Sequence, residues 1–255
     1  MTVLAVGACV ATGAWAWRLH RRGLVLERRL ARATHDLEAL ERAFTKFAPH
    51  EVVERIIADG VATTAETKDV TVLFADLQGF TALAETLEPT ALVALLNAHF
   101  ERMAQAVAAH RGHLAKFIGD GLLALFGALE PNPWQTNDAI HAALAMRDAL
   151  AAHNQELQAR GQPALAMGIG IHRGPVVAGV LGTSGVREYG VLGHTVNLAS
   201  RVEDLTRVHA ADILVTDAVR ARCDPRFRLR ALTAVDVKGL PEPLATFAVD
   251  GVDAG

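Results

Sequence analysis

Asp76 stands where a carboxylate would meet a divalent cation. It follows an apolar run rich in β-branched and aromatic residues, Val70–Phe74, which predicts a buried strand. A glycine turn begins at Gly79 and a helical pattern follows. A carboxylate at the end of a buried strand is costly unless a cation or a hydrogen-bond donor meets it. Because the N–H groups of a glycine turn favour anions, the pattern indicates a site for a metal-bound polyphosphate.

Asp120 stands in a similar setting on a predicted hairpin. Two apolar runs flank Gly119–Gly121, a Gly-Asp-Gly sequence typical of a tight β-turn. Lys116 has the same strand parity as Asp120, so we expect the two side chains on one face. Together with Asp76, this residue supplies a pair of strand-end carboxylates. Such a pair suits one or two divalent ions, which would clamp a triphosphate for in-line displacement.

Four segments of the chain, in this order, resemble the catalytic domain of the class III nucleotidyl cyclases. They read FADLQGFT, KFIGDGLLALFG, GIGIHRGPVVAGVLG and GHTVNLASRVE, and the resemblance covers residues 67–250. Each segment alone is a weak signal, whereas four in order with plausible spacing are specific. The resemblance implies an α+β sandwich with a ferredoxin-like core. It also implies an adenylate cyclase that converts ATP to 3′,5′-cyclic AMP and pyrophosphate.

The resemblance assigns the metal and phosphate contacts. Asp76 and Asp120 would bind two Mg²⁺ or Mn²⁺ ions, and Leu77 would add a carbonyl ligand. The triphosphate would be cradled by three residues of the turn: Gly79, Phe80 and Thr81. Lys238 would also meet the phosphates, although a lysine in such a loop has an equally simple interpretation as a solvated side chain.

The resemblance also assigns the ribose and base contacts. Asn197 and Arg201 lie at i and i+4 of a predicted helix, and they would orient the ribose and stabilise charge on the transferring phosphate. Without the resemblance, this pair would be interpreted as a solvated helix face. Lys116 would read the adenine ring. The second base-reading position is Gly190, which has no side chain to accept a hydrogen bond, so base specificity stays open.

In the resembled family, one protomer supplies the metal-binding acids. The other protomer supplies the base-reading lysine and the Asn–Arg pair. We therefore expect a homodimer with two shared sites, in which one chain alone holds halves of two sites.

The remaining pattern predicts the elements that position these residues. Helices are expected over 89–110, 137–160 and 194–208, and strands over 165–171, 176–181, 213–216 and parts of 227–250. The buried stripe of the first helix is predicted to contain Val93, Leu96, Phe100, Met103 and Val107. Strands and helices intermix around a central hairpin, which excludes a simple βαβ repeat and favours an α+β sandwich.

Composition narrows the class of protein. The 255 residues are 51% hydrophobic and 21% charged with a net charge of −3, which excludes wholesale disorder and a basic nucleic-acid-binding surface. We expect no nucleic-acid partner. Cys9 and Cys223 lie far apart and form no metal-spaced cluster, which favours a reduced compartment for the catalytic part.

The N-terminal 17 residues carry no charged side chain. Trp15 and Trp17 stand where an interfacial aromatic belt would lie, and arginines follow them. We interpret residues 1–17 as a single-pass anchor in the plasma membrane or the cell inner membrane, with the catalytic domain in the cytoplasm. The alternatives are a helix packed on protein, a helix lying in the interface, and a chain that lacks further spans.

A strict heptad follows the basic juxtamembrane part. Apolar residues recur with alternating spacings of four and three at Leu26, Leu30, Ala33, Leu37, Leu40, Phe44 and Phe47. So narrow a seam favours a parallel two-helix coil within residues 18–48, and an amphipathic helix packed on its own domain is the alternative. Residues 49–66 are interpreted as a coupling segment and linker between this coil and the catalytic domain.

Three other functions compete with the adenylate cyclase. Gly190 favours a guanylate or relaxed-specificity cyclase, whereas Lys116 argues against guanine. A nucleotide-sensing pseudo-cyclase would not need its metal-binding and transition-state residues intact: Asp76, Asp120, Asn197 and Arg201. A diguanylate cyclase is disfavoured because the sequence holds no GGDEF-like signature.

Overall fold

The computed structural model of the chain describes residues 65–182 and 187–253. The predicted anchor (1–17), the coil (18–48) and nearly all of the coupling segment (49–66) lie outside these residues. Within the described ranges, no helix combines the length and apolarity that crossing a membrane requires.

The described residues form eight strands and five helices. The strands are β1 (Glu66–Gln78), β2 (His113–Ile118), β3 (Gly121–Phe126), β4 (Ala166–Gly182), β5 (Arg187–Leu192), β6 (Ile213–Thr216), β7 (Phe227–Ala231) and β8 (Thr246–Val252). The helices are α1 (Phe80–Ala84), α2 (Pro89–Ala109), α3 (Gln135–Ala159), α4 (His194–His209) and α5 (Asp217–Arg220).

The sheet has the order β2-β3-β1-β4-β6-β8-β7, and β5 pairs with β4 beside this path. Each neighbouring pair among the first four strands of this order is antiparallel, and these strands connect as β1-α2-β2-β3-α3-β4, the βαββαβ order of a ferredoxin-like core. The parallel β4–β6 ladder then makes the whole sheet mixed. The predicted α+β sandwich is confirmed for the described residues.

The two faces of β1 bury against different helices. Leu73, Ala75 and Leu77 pack in one cluster with α2 and α3, whereas Val70 and Val72 pack in a second cluster that includes Ala199 of α4. This division follows from the two-residue period of a strand. Even-numbered positions of β1 therefore face α4, and Asp76 is one of them.

Two glycines of β4 let α4 approach the sheet closely. A Cβ at Gly170 would lie 2.7 Å from the carbonyl oxygen of Ala199, and a Cβ at Gly168 would lie 2.7 Å from Glu203 Oε1. Real Cβ atoms do not tolerate such distances from fixed backbone, so glycine is required at the first position. The close approach brings the middle of α4 over the end of β1.

The structure corrects two predicted boundaries. The two strands predicted over 165–171 and 176–181 are one continuous strand, β4, which pairs with β1 from Ala166 to Ala178. Pro175 does not interrupt it because it lies between the β6 ladder, which ends at Ile171, and the β5 ladder, which begins at Val177. Likewise, β1 does not end before Asp76.

The prediction for one core residue is also wrong. Val93 is 58% exposed, whereas Met103 and Val107 of the same predicted stripe are fully buried. Helix α2 packs on α3 and β2 through its C-terminal half, where buried residues begin at His99. The N-terminal part of α2 at Val93 therefore does not pack on the core as predicted.

Candidate active site

Asp76 lies within β1, two residues before its end, opposite Gly168 of β4. Its side chain is one-third exposed and faces α4, where Arg207 Nη2 donates a hydrogen bond of 2.9 Å to Asp76 Oδ2. The sequence predicted that a cation or a donor must meet this carboxylate. In the structure a donor from the chain itself does so.

Asp120 lies in the two-residue turn that joins β2 to β3, as the Gly-Asp-Gly pattern predicted. Gly119 adopts the left-handed conformation (φ 62°) that such a turn requires. The next residue, Gly121, packs directly on the end of β1: a Cβ there would lie 2.8 Å from Asp76 Oδ1. The hairpin therefore carries Asp120 to the carboxylate of Asp76.

The electrostatics of Asp120 reflect the nearby charge of Asp76. Burial raises the pKa of the Asp120 carboxyl, the negative charge of Asp76 raises it further, and Arg207 opposes the shift. Two like charges that raise a pKa in this way create a site that favours a cation.

The residues present fit a divalent cation of the Mg²⁺ type. Mg²⁺ is usually bound through one or two carboxylates together with substrate phosphates and water rather than by an all-protein cage. Asp76 and Asp120 supply two such carboxylates. Across the described residues, no set of three or more His, Cys, Asp or Glu side chains is arranged to hold a metal.

The turn after β1 places the predicted phosphate-contacting residues next to Asp76. Leu77 is buried and pairs with Met167, so only its backbone is positioned toward the turn. Gly79 has φ 71° and ψ 12°, a left-handed conformation that suits glycine and lets the chain leave the strand for α1. Phe80 packs partly on the core, and Thr81 is exposed.

Arg201 and the loop that carries Lys238 form a second group of predicted residues. Arg201 is half-buried on α4, and a Cβ at Gly239 would lie 3.2 Å from its Nη1 atom. Lys238 precedes that glycine and is exposed, as is Asn197, one helical turn before Arg201. The structure thus brings together three of the predicted residues, with the arginine at the centre.

The two groups of residues are separated along α4. Arg207 follows Arg201 by six residues, which is about 9 Å along a helix axis and about 120° around it. Arg207 binds the carboxylate of Asp76, whereas Arg201 lies beside Gly239. Lys116 is exposed on β2, opposite Leu123 of β3.

Two residues of this site were missed by the sequence analysis, Glu203 and Arg207. Glu203 is 5% exposed, and its burial raises the pKa of its carboxyl to about 7; Arg207 opposes this rise, and Asp76 adds to it. The sequence offered no distinct signal, because Glu and Arg at i and i+4 are ordinary on a solvated helix face. Only the close approach of α4 to β4 makes the pair part of the site.

The comparisons with known proteins agree with this geometry. A family model of the adenylate and guanylate cyclase catalytic domain matches residues 62–251. Adenylate cyclase of Anabaena cylindrica is 34% identical over 218 residues, which is 81% of this chain and 42% of that protein. The chain therefore belongs to the class III adenylyl and guanylyl cyclase catalytic domain family.

Solved structures of both cyclase types share the fold. The guanylyl cyclase Cya2 superposes with a TM-score of 0.70 at 33% identity, covering 74% of this chain and 95% of that one. The adenylyl cyclase CyaB from P. aeruginosa superposes with a TM-score of 0.69 at 29% identity, covering 75% and 97%. The chain spans less than half the length of the curated relatives Anabaena adenylate cyclase and Rhizobium meliloti adenylate cyclase 1.

Proposed function

We propose that this protein is an adenylate cyclase that converts ATP to 3′,5′-cyclic AMP and pyrophosphate. The ribose 3′-oxygen would attack the α-phosphorus directly, with no covalent enzyme intermediate. The observation that carries the proposal is the convergence of Asp76 and Asp120 at the end of β1, in a domain of the cyclase family. The Anabaena and Rhizobium meliloti relatives named as adenylate cyclases support the choice of reaction.

Asp76 and Asp120 would hold two Mg²⁺ or Mn²⁺ ions, with the backbone carbonyl of Leu77 as a further ligand. Such ions lower the pKa of a bound hydroxyl and neutralise charge on phosphate oxygens. The chain's own task is to position the carboxylates, which β1 and the β2–β3 turn do through the contact at Gly121. The turn of Gly79, Phe80 and Thr81 would orient the triphosphate beside them.

We further propose that each active site is shared across a homodimer. Asn197 and Arg201 would orient the ribose and stabilise charge on the transferring phosphate, and Lys238 would meet the phosphates. Their separation from Asp76 along α4 supports this division, because Arg201 lies beside Gly239 and a different arginine binds the acid. Guanidinium suits the role since its planar fork binds phosphate bidentately.

A guanylate or relaxed-specificity cyclase is the second candidate function. Lys116 would read adenine, but the other base-reading position is Gly190, which pairs with Gly179 in the β4–β5 ladder. Neither glycine offers a side chain to accept a hydrogen bond from an exocyclic amine. The likeness to the guanylyl cyclase Cya2 adds to this candidate.

The membrane anchor and the coil remain part of the proposal. Residues 1–17 would hold the protein in the plasma membrane or the cell inner membrane, with the catalytic domain cytoplasmic. The heptad within residues 18–48 would bring two chains together and set the angle between their catalytic domains. Both segments lie outside the described residues.

Complementation of two inactive variants tests the shared site. Asp76→Ala removes a metal carboxylate, and Arg201→Ala removes the guanidinium. If each site takes one group from each protomer, the mixed dimer holds one intact site, and about a quarter of wild-type activity should return at equal mixing with random pairing. Verified heterodimers that stay inactive would refute the shared site.

A further inference from the structure

Arg207 occupies one oxygen of the proposed metal carboxylate. Its Nη2 atom lies 2.9 Å from Asp76 Oδ2, a charge-assisted hydrogen bond. A divalent cation would bind the same carboxylate group. A bound cation and the guanidinium are like charges at one carboxylate, so each weakens the binding of the other.

The same guanidinium has two further carboxylates within reach. Glu203 Oε1 lies 3.8 Å from Arg207 Nη2, and Asp204 Oδ1 lies 3.6 Å from Arg207 Nη1. Glu203 is the better alternative acceptor for the Arg207 guanidinium, because its Oε1 atom is buried and has no hydrogen-bond partner among the described residues. An unpaired buried carboxylate oxygen is costly, so a move of Arg207 by about 1 Å toward Glu203 would be favourable for that group.

The Glu203 side chain is buried, whereas the Arg207 side chain is partly exposed. Glu203 is 5% exposed and its side chain lies against Gly168 of β4. The Arg207 side chain is 42% exposed, at the surface end of the cluster. A long, partly solvated arginine can exchange partners by rotating side-chain torsions, with no backbone movement.

We propose that Arg207 is an exchangeable internal counter-ion of the metal site, and that it passes from Asp76 to Glu203 when a divalent cation binds. This inference rests on the proposed metal-binding role of Asp76. Arg207 acts through Asp76 and is a positioning residue: it holds the carboxylate oriented in the cation-free protein. Glu203 receives the guanidinium and keeps it away from the bound cation.

The exchange has a measurable effect on cation affinity. The Arg207 guanidinium holds one oxygen of Asp76 and repels a cation at the same carboxylate, so removing the arginine should tighten binding. Partly exposed ion pairs are weak, and their loss corresponds to roughly a two- to fivefold lower dissociation constant. Replacing Glu203 should weaken cation binding, because Arg207 then lacks this carboxylate as an alternative partner.

Mn²⁺ binding to the full chain without nucleotide measures this directly, with electron paramagnetic resonance counting the free ion. Arg207→Gln should lower the dissociation constant roughly two- to fivefold, and Arg207→Lys, which keeps a cation, should stay closer to wild type. Arg230→Gln is the matched control. Arg230 pairs with Asp250 at 3.2 Å on β7 with similar exposure, so its loss should leave Mn²⁺ affinity unchanged.

A double-mutant cycle separates the exchange from simple charge removal. Glu203→Gln removes the carboxyl group near the site in any background, which changes Mn²⁺ binding by a common factor. If Glu203 receives Arg207, the loss should be at least about twofold larger when Arg207 is present than in the Arg207→Gln background. Equal losses in the two backgrounds would overturn the exchange, and unchanged or weaker binding by Arg207→Gln would overturn the competition.

Asp76→Asn distinguishes failure of this inference from failure of the proposed function. If Asp76→Asn leaves Mn²⁺ affinity at the wild-type value, Asp76 is not a cation ligand and both proposals fall. If Asp76→Asn abolishes binding but Arg207→Gln does not tighten it, the metal site stands and the counter-ion role is wrong.

Discussion

His99 makes the stability of the catalytic domain sensitive to acid. It lies on α2 facing α3, is 2% exposed, and its Nδ1 atom has no hydrogen-bond partner among the described residues. Burial, and then the neighbouring charges of His153 and Arg102, lower the pKa of its imidazole to about 4. The folded protein therefore holds this histidine neutral at pH values where the unfolded chain would protonate it.

The sign and size of the effect follow from this shift. A histidine whose pKa is lower in the folded state contributes full stability above its unfolded pKa of 6.5, and this contribution falls as the pH drops toward the folded value of about 4. The whole shift corresponds to about 3 kcal/mol, of which about 2 kcal/mol is lost by about pH 5. His172 has the same lowered pKa of about 4, because of burial and then His194, and adds a similar loss.

Urea unfolding at about pH 8 and about pH 5 tests the reasoning. His99→Gln cannot be protonated, so its free energy of unfolding should fall by about 2 kcal/mol less than that of wild type over this interval. His172→Gln tests the second histidine and should show a similar reduction. Wild-type pH dependence in the His99→Gln variant would refute the account of this buried histidine.

Two further substitutions test contacts that position the site. Gln135 accepts a 2.7 Å hydrogen bond from the backbone N–H of Thr71 in β1, so Gln135→Leu should lower the free energy of unfolding by about 1–3 kcal/mol in urea titrations; an unchanged value would show that water satisfies that donor. Gly121→Ala should weaken Mn²⁺ binding, because its Cβ would lie 2.8 Å from Asp76 Oδ1. A Gly121→Ala protein that binds Mn²⁺ as tightly as wild type would contradict the packing of the hairpin on β1.

Local sequence patterns predicted much of this fold. The Gly-Asp-Gly turn at Asp120, the glycine turn at Gly79 and the helix that carries Asn197 and Arg201 each follow from short-range rules of backbone conformation and periodicity. These elements were predicted because their residue types determine their conformation largely without help from distant parts of the chain.

The remaining features of the fold and the site depend on tertiary contacts, which local sequence patterns do not determine. The strands predicted over 165–171 and 176–181 form one strand, β4, because Pro175 between them falls between two neighbouring ladders. From the sequence, Arg207 and Glu203 resemble an ordinary surface pair. In the structure they belong to the site, because glycines of β4 allow α4 to approach β1. The partner of Asp76 lies 131 residues away in the chain, and no local rule connects two residues at that separation.

The central claim is that this protein makes cyclic AMP from ATP with two strand-end aspartates holding the metal. The most direct test is product formation by the full chain, supplied with ATP or GTP and with Mn²⁺ or Mg²⁺, beside the Asp76→Asn and Asp120→Asn variants. We predict cyclic AMP from ATP, and none from either variant. Folded, dimeric protein that forms no cyclic nucleotide under any of these conditions, or variants that retain full activity, would contradict the account.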